Sequence, residues 1–499
     1  MPEQRFYPDL IPLPRKIEFG VSDTDIRDWT LEVAGEAASR LSRRYLRELP
    51  LGECGSRGTA RLVHDDTTSI EGYRLSIGER ELEVRASTER GFFYALQTLR
   101  QLMRNSRVPL CLVEDSPALG TRGFHLDLET VRGLNFETIS RIIKNAASWK
   151  LNTLLIEYGD RFPYRRHADI NAGDALSMRE VRDLVHCARD NYIEIIPLTQ
   201  SLAHLGYALK HDRYAGLREV DGEFNQLCAS NPASLAFVGE LLDEVINAHG
   251  PDLKRIHLGA DETRSLGACP QCAARAAAAS KETLYAEHIN SLCGTVANRG
   301  LQPIIWDDMV CAHPDALEKL DRRITIMYWD YWSVDDKSPL LIARYRGTDC
   351  QLKRVIVYDR YWDEPSQANP YRNTGNFHSR GGEDLRGLGG DFMSRFGKYL
   401  GSEFPLLIKS FPYLEYYRDH GFKTLGAPSC LGQRFDMDDG LENFNRTIPN
   451  MRGFAARCAE AGADGMVTTA WFNYPVEFLY YGLLATAQYA WNGRYGFKT

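Results

Sequence analysis

The sequence predicts an α/β chain: a (β/α)8 TIM barrel preceded by a small α+β domain. From residue 120 onward, eight short apolar runs alternate with amphipathic stretches of helix length. Parallel strands buried on both faces read as such continuous runs. Before residue 118, apolar and polar residues alternate instead, as in half-buried antiparallel strands. The length of 499 residues accommodates a barrel of about 250 residues or more together with one further domain. The expected division is 1–118 and 119–499, the second ending in a helical segment.

In the first domain, EGYRLSIGERELEVRAS places Tyr73, Leu75 and Ile77, then Leu82 and Val84, at strand spacing. Thr88-Glu89-Arg90-Gly91 leads into FFYALQTLRQLM, where Phe92, Ala95, Leu96, Leu99 and Met103 fall at helical spacing. The barrel runs are GFHLDLE (123–129), NTLLIEY (152–158), IEIIPLTQ (193–200), RIHLGADE (255–262), PIIWDDM (303–309), ITIMYWDYW (324–332), TLGAPS (424–429) and GMVTTAW (465–471). VIVYDRYW (355–362) is a further strand candidate, and RGGEDLRGLGG (380–390) reads as a long loop. Most runs end in polar or aromatic residues, and in a barrel those ends form the mouth where active sites are built.

Composition narrows the function. The 60 Lys and Arg against 67 Asp and Glu give a formal charge of −7, which argues against nucleic-acid or anionic-membrane partners. No run reaches the roughly 20 apolar residues of a membrane span, and MPEQRFYPDLIPLPRKIEFG lacks the layout of a secretory signal. The 11 cysteines are odd in number and scattered, which suits reduced thiols and a cytoplasmic location. The sequon at Asn445 then reads as a chance match. Cys269-Pro-Gln-Cys272 has the spacing of half a zinc site, but no second pair follows at convincing spacing, so these are read as reduced structural thiols without metal.

The sharpest constellation is Ile256-His257-Leu258-Gly259-Ala260-Asp261-Glu262. As a strand it puts His257, Gly259 and Asp261 on one face, with Glu262 where the loop opens. Adjacent carboxylates repel, so one tends to stay ionised while its neighbour holds a proton, which is the division of labour of a charge stabiliser beside a general acid. A helix N-cap with an acidic first turn is the alternative reading of the same spacing.

IHLGADE resembles the His-x-Gly-(Gly/Ala)-Asp-Glu signature of glycoside hydrolase family 20, the exo-β-N-acetylhexosaminidases. LIPLPRKIEFG, EGYRLSI and GFFYALQTLRQLM resemble the small domain that precedes the family's barrel. Arg122-Gly123 with Leu126-Asp127 resembles its first barrel strand, and KLNTLLIEY its second. IIPLTQSLAHLGYALK, LREV, WDDM and WDYW are most similar to the hexosaminidase D type within that family. The chain departs from the secreted members at Thr130-Val131, at Thr199 to His204, and at TLGAPSCLG, which lacks the tyrosine that meets the acetamido oxygen.

The resemblance implies retaining, substrate-assisted hydrolysis of terminal β-linked N-acetylgalactosamine or N-acetylglucosamine through an oxazolinium ion. In that scheme Glu262 is the acid and base, and Asp261 holds the acetamido N–H. Arg122 carries over as a donor to sugar hydroxyls, with a structural ion pair as its alternative. Trp306, Trp329 and Trp471, at three strand ends, would wall the sugar pocket. Tyr331 is the candidate for the acetamido oxygen, His204 for orienting Asp261 or touching the substrate, with a histidine simply satisfied within the mouth as its alternative, and Glu477 for an outer hydroxyl. Asp307 and Asp308 read as structural. The implied partner is a glycan or glycoconjugate ending in β-HexNAc, with no cofactor. Two other classes stay open: a non-catalytic amino-sugar-binding protein on the same barrel, and a metal-dependent barrel hydrolase that chelators would silence.

Overall fold

A computed structural model describes residues 10–41, 43–51, 57–131, 133–331, 333–334, 336–339, 342–346, 354–358, 382–383, 390–404, 407–431, 444–471 and 475–493. The first unit is a six-stranded sheet of Lys16–Asp25, Thr30–Ala34, Thr59–His64, Tyr73–Ile77, Glu81–Ala86 and Arg107–Asp115. Tyr73–Ile77 alternates buried and exposed residues, so one face packs inward, as its period of two dictates. The helix Glu89–Leu102 covers the sheet; Thr88 caps it by accepting the Gly91 N–H.

The second unit is a closed parallel barrel of eight strands: β1 (Thr121–Asp127), β2 (Thr153–Glu157), β3 (Glu194–Leu198), β4 (Arg255–His257), β5 (Gln302–Trp306), β6 (Thr325–Trp329), β7 (Lys423–Ala427) and β8 (Gly465–Ala470). β8 pairs β1 over Gly465↔Thr121 to Thr468↔Phe124, and β7 pairs β8 at Gly426↔Met466, which closes the ring. Each of the eight apolar runs overlaps one of these strands; Trp332, the last residue of the sixth run, lies outside the described residues, and Asp308 and Met309 of the fifth open a short helix. β4 is the exception in length. It ends at His257, because Gly259, Ala260 and Glu262 have φ of 63°, 73° and 47° and leave the extended conformation. The alternation expected through Asp261 therefore breaks, and Asp261 reaches the mouth through a turn.

Alternate residues fill the barrel's interior: Leu155, Ile196, Leu198, Ile304, Trp306, Met327, Trp329, Leu425, Ala427 and Val467 form one buried cluster, with Tyr331 and Trp471 at its upper edge. Helices Phe136–Ser148, Met178–Asp190, Pro232–His249, Lys281–Ala297, Phe444–Ala461 and Val476–Trp491 stand outside. Of the further candidate 355–362, residues 359–362 lie outside the described residues and the rest falls in the strand Arg354–Tyr358, which pairs antiparallel with Ile342–Arg346 outside the barrel. The stretch 380–390, expected as a long loop, is corrected where it is described: Gly382–Glu383 is a strand pairing antiparallel with Ile342–Arg346, and Gly390 opens the helix Gly390–Phe396.

The two units meet at the barrel's N-terminal end, on buried charges. Arg122 is fully buried as the second residue of β1. Its guanidinium pairs Glu71 at 2.6 Å and donates to Tyr94 Oη and to the carbonyls of Lys150, Leu119 and Gly120. Lys150 Nζ pairs Asp115 at 3.0 Å beside it, and the Trp491 indole, within 5 Å of both cations, donates to Asp115 at 2.8 Å. The expectation that Arg122 binds sugar is thereby corrected. The strand starts one residue before it, so its side chain sits a full strand length from the mouth and is spent on joining the two units.

Candidate active site

Asp261 and Glu262 lie on the turn that follows β4. Three supports fix that turn. Trp306 N–H donates to the Gly259 carbonyl at 3.0 Å, Tyr285 Oη to the Ala260 carbonyl at 3.2 Å, and Glu262 N–H to Asp308 Oδ2 at 2.8 Å. They hold two non-glycine residues at positive φ, a strained geometry that persists only where the surroundings over-determine it. Gly259 has a separate reason: a Cβ there would stand 1.9 Å from Gln200 Oε1.

His204, itself at φ 56° in the loop after β3, sits between the two carboxylates. Its Nε2 is 3.3 Å from Asp261 Oδ2 and 3.7 Å from Glu262 Oε2. The carboxylate of Asp261 raises the His204 pKa to about 10, against the opposing effect of burial. Burial pushes the Asp261 carboxyl up, but the His204 charge and hydrogen bond outweigh it and hold its pKa below the usual value. At neutral pH the pair is imidazolium and carboxylate. Glu262 has a third of its side chain exposed and meets Arg264 at 3.1 Å; Arg264 is 79% exposed.

Aromatic rings wall the space above. Trp306 lies 6.0 Å from Trp471 and 4.4 Å from the His257 ring. Tyr331 stacks on Trp329 at 5.0 Å, and its hydroxyl accepts the Trp471 Nε1–H at 2.9 Å. The structure thus brings Asp261, Glu262, His204, Trp306, Trp329, Tyr331 and Trp471 to one end of the barrel. Glu477 lies exposed in the first turn of Val476–Trp491; the intervening 472–474 lie outside the described residues. Asp307 is a brace, accepting the Trp329 N–H and the Tyr417 O–H.

Further polar residues reach this end without having been expected there. Asp127 and Glu157 end β1 and β2, and Glu129 follows β1 against Gly159. Burial, with the neighbouring Glu157 and Asp127, raises the Glu129 pKa to about 8; burial and Glu157 raise Asp127 to about 6. Gln200 donates to Glu157 at 2.9 Å. His257 is kept neutral by burial, with its pKa lowered to about 3. Its Nδ1 accepts the Gly259 N–H, so its proton is on Nε2. The sequence held a signal for these residues: the barrel's strand direction assigns the last residues of GFHLDLE and NTLLIEY to the mouth.

Among the described residues, Asp261 Oδ1, Trp306 Nε1, His257 Nε2, Gln200 Oε1 and both His125 nitrogens are buried without a hydrogen-bond partner. Unpaired buried polar atoms are costly.

Comparison with known proteins places this geometry in a lineage. Residues 7–116 match the model of "Glycosyl hydrolase family 20, domain 2", and residues 154–351 that of "Glycosyl hydrolase family 20, catalytic domain". Hexosaminidase D of Homo sapiens is 33% identical over 261 residues, covering 49% of this chain and 52% of that protein. Hexosaminidase D of Bos taurus is 32% identical over 205 residues, covering 39% and 59%. The chain thus spans little more than half the length of the curated relatives it matches. The solved β-N-acetylhexosaminidase of Bacteroides fragilis NCTC 9343 has the same fold, with a TM-score of 0.68 at 18% identity over 98% of this chain and 92% of that one. With both of the family's domain models matched in order, the chain belongs to glycosyl hydrolase family 20.

Proposed function

We propose that this protein is a retaining exo-β-N-acetylhexosaminidase that removes terminal β-linked N-acetylgalactosamine or N-acetylglucosamine with the substrate's own acetamido group as nucleophile. The observation that carries the reading is the pairing of a buried, ionised Asp261 with the more exposed Glu262 inside an aromatic wall. Asp261 Oδ1, buried without a partner, accepts the acetamido N–H and stabilises the positive charge that develops as the carbonyl oxygen attacks the anomeric carbon. Glu262 donates a proton to the departing oxygen and takes one from water in the second step. The carbonyl–anomeric bond forms as the glycosidic bond breaks, and water reopens the oxazolinium ion with net retention. Arg264 faces Glu262 and suits its ionised, proton-accepting state; as an exposed side chain it can withdraw when the sugar enters.

Trp306, Trp329 and Trp471 pack the N-acetyl methyl and the apolar face of the ring. Tyr331, whose hydroxyl accepts the Trp471 Nε1–H at this rim, is proposed as the donor to the acetamido oxygen. Glu477 is proposed for an outer hydroxyl. A thiazoline mimic of the oxazolinium ion tests the reading. Tight competitive inhibition that Asp261→Asn weakens supports it; absence of inhibition with intact activity excludes anchimeric assistance.

A further inference from the structure

A second constellation lies beside the site, between the loops that carry it. Glu219 and Cys228 belong to the segment after β3, and Cys269 and Cys272 to the segment after β4. One ligand atom of each lies within 4.8 Å of the others. Cys228 Sγ is 3.5 Å from Cys269 Sγ and 3.5 Å from Cys272 Sγ; Cys272 Sγ is 3.1 Å from Glu219 Oε2. Glu219, Cys228 and Cys272 are buried, and Cys269 half-buried. In a tetrahedral zinc site with Zn–S of about 2.3 Å, neighbouring sulfurs stand ~3.8 Å apart, close to these spacings. A disulfide needs about 2.05 Å, and it would leave one of the three thiols over.

The surroundings prepare the four groups for a cation. Backbone N–H groups of Ala268 and Cys269 donate to Glu219 Oε1 at 2.8 and 3.0 Å, which turns Oε2 toward the thiols. Cys269 is the N-cap of the helix Pro270–Ala278, its Sγ accepting the Cys272 N–H at 3.2 Å. Ser230 Oγ lies 3.0 Å from Cys272 Sγ. Three sulfurs and one carboxylate suit Zn²⁺ better than Mg²⁺ or Ca²⁺, and four protein ligands leave no open position, the mark of a structural site.

We infer that Glu219, Cys228, Cys269 and Cys272 form a structural zinc site that clips the segment bearing His204 to the segment bearing Asp261 and Glu262. Ser265 reinforces the same seam, donating from its N–H to Gln226 and from its hydroxyl to Glu223, each at 2.9 Å. The sequence reading of Cys269 and Cys272 as plain reduced thiols missed their partners, which lie 41 residues (Cys228) and 50 residues (Glu219) before Cys269 on a different loop.

The test is elemental analysis of the purified full-length protein, followed by cobalt(II) exchange. About one zinc per chain is expected, and cobalt should give sulfur-to-metal charge transfer in the near ultraviolet with tetrahedral bands in the visible. Cys228→Ser should lose the metal and the charge-transfer band. Glu219→Gln, nearly isosteric, keeps the test decisive where Cys228→Ser does not fold: it should surrender zinc to a competing chelator on the order of tenfold more readily. A metal-free wild-type protein, a Cys269–Cys272 disulfide found by mass spectrometry, or metal retained equally in both variants overturns the site. None of these outcomes bears on hexosaminidase turnover, so the two proposals fail separately.

Discussion

His204 Nε2 stands 3.3 Å from Asp261 Oδ2, a contact between two loops made by side chains that each hold the other in its charged form. The pH dependence follows. The folded pKa of His204 is raised to about 10 from an ordinary 6.5, so its contribution to stability is full below pH 6.5 and is lost as pH climbs toward 10. Asp261, with its pKa depressed, contributes above the ordinary 3.8 and loses that contribution as pH falls through its folded value. Thermal unfolding of wild type and His204→Gln across pH 5 to 10 should show the wild-type advantage shrinking at the alkaline end; a constant gap would mean that His204 does not titrate against Asp261.

The two carboxylates are expected to fail differently. Glu262→Gln should lose about 10²- to 10⁴-fold in kcat on substrates with poor leaving groups and much less on nitrophenyl glycosides, which need little protonation. Asp261→Asn should depress both, because formation of the cyclic intermediate suffers whatever departs. Equal losses for Glu262→Gln on both substrate types would remove it from the acid role.

Arg122→Gln separates a structural arginine from a sugar-binding one. Its guanidinium is fully buried against Glu71, and removing one partner of such a pair costs about 3–5 kcal/mol. Denaturant unfolding should record that loss, while KM of the folded fraction stays at the wild-type value. A raised KM with unchanged stability would return Arg122 to the substrate.

Gly259→Ala is predicted to damage the site without touching its chemistry. The new methyl would occupy the place of Gln200 Oε1 on a backbone already at φ 63°. Kinetics should show kcat/KM falling with both substrate types, and Gln200→Ala in the same background should restore part of it.

How much of this was legible depended on whether the signal was local. The eight strands could be read because each is buried on both faces and so is apolar along its length, as in Thr153–Glu157 and Thr325–Trp329. The early end of β4 could not, because Ala260 and Glu262 adopt a conformation that only tertiary support permits. Arg122 was misassigned for want of one datum, the residue at which β1 begins. Trp306, Trp329 and Trp471 could be assigned to one rim by strand direction alone, whereas the meeting of Cys228 with Cys269 needed two loops folded against each other.

The most direct test of the central claim is turnover of nitrophenyl β-N-acetylgalactosaminide and β-N-acetylglucosaminide beside the plain β-galactoside and β-glucoside. A mechanism that uses the acetamido oxygen as nucleophile predicts cleavage of the acetamido sugars alone, with the ratio between them reporting how the pocket reads position 4. Comparable cleavage of the plain glycosides would contradict it, since those substrates carry no acetamido oxygen to act as nucleophile.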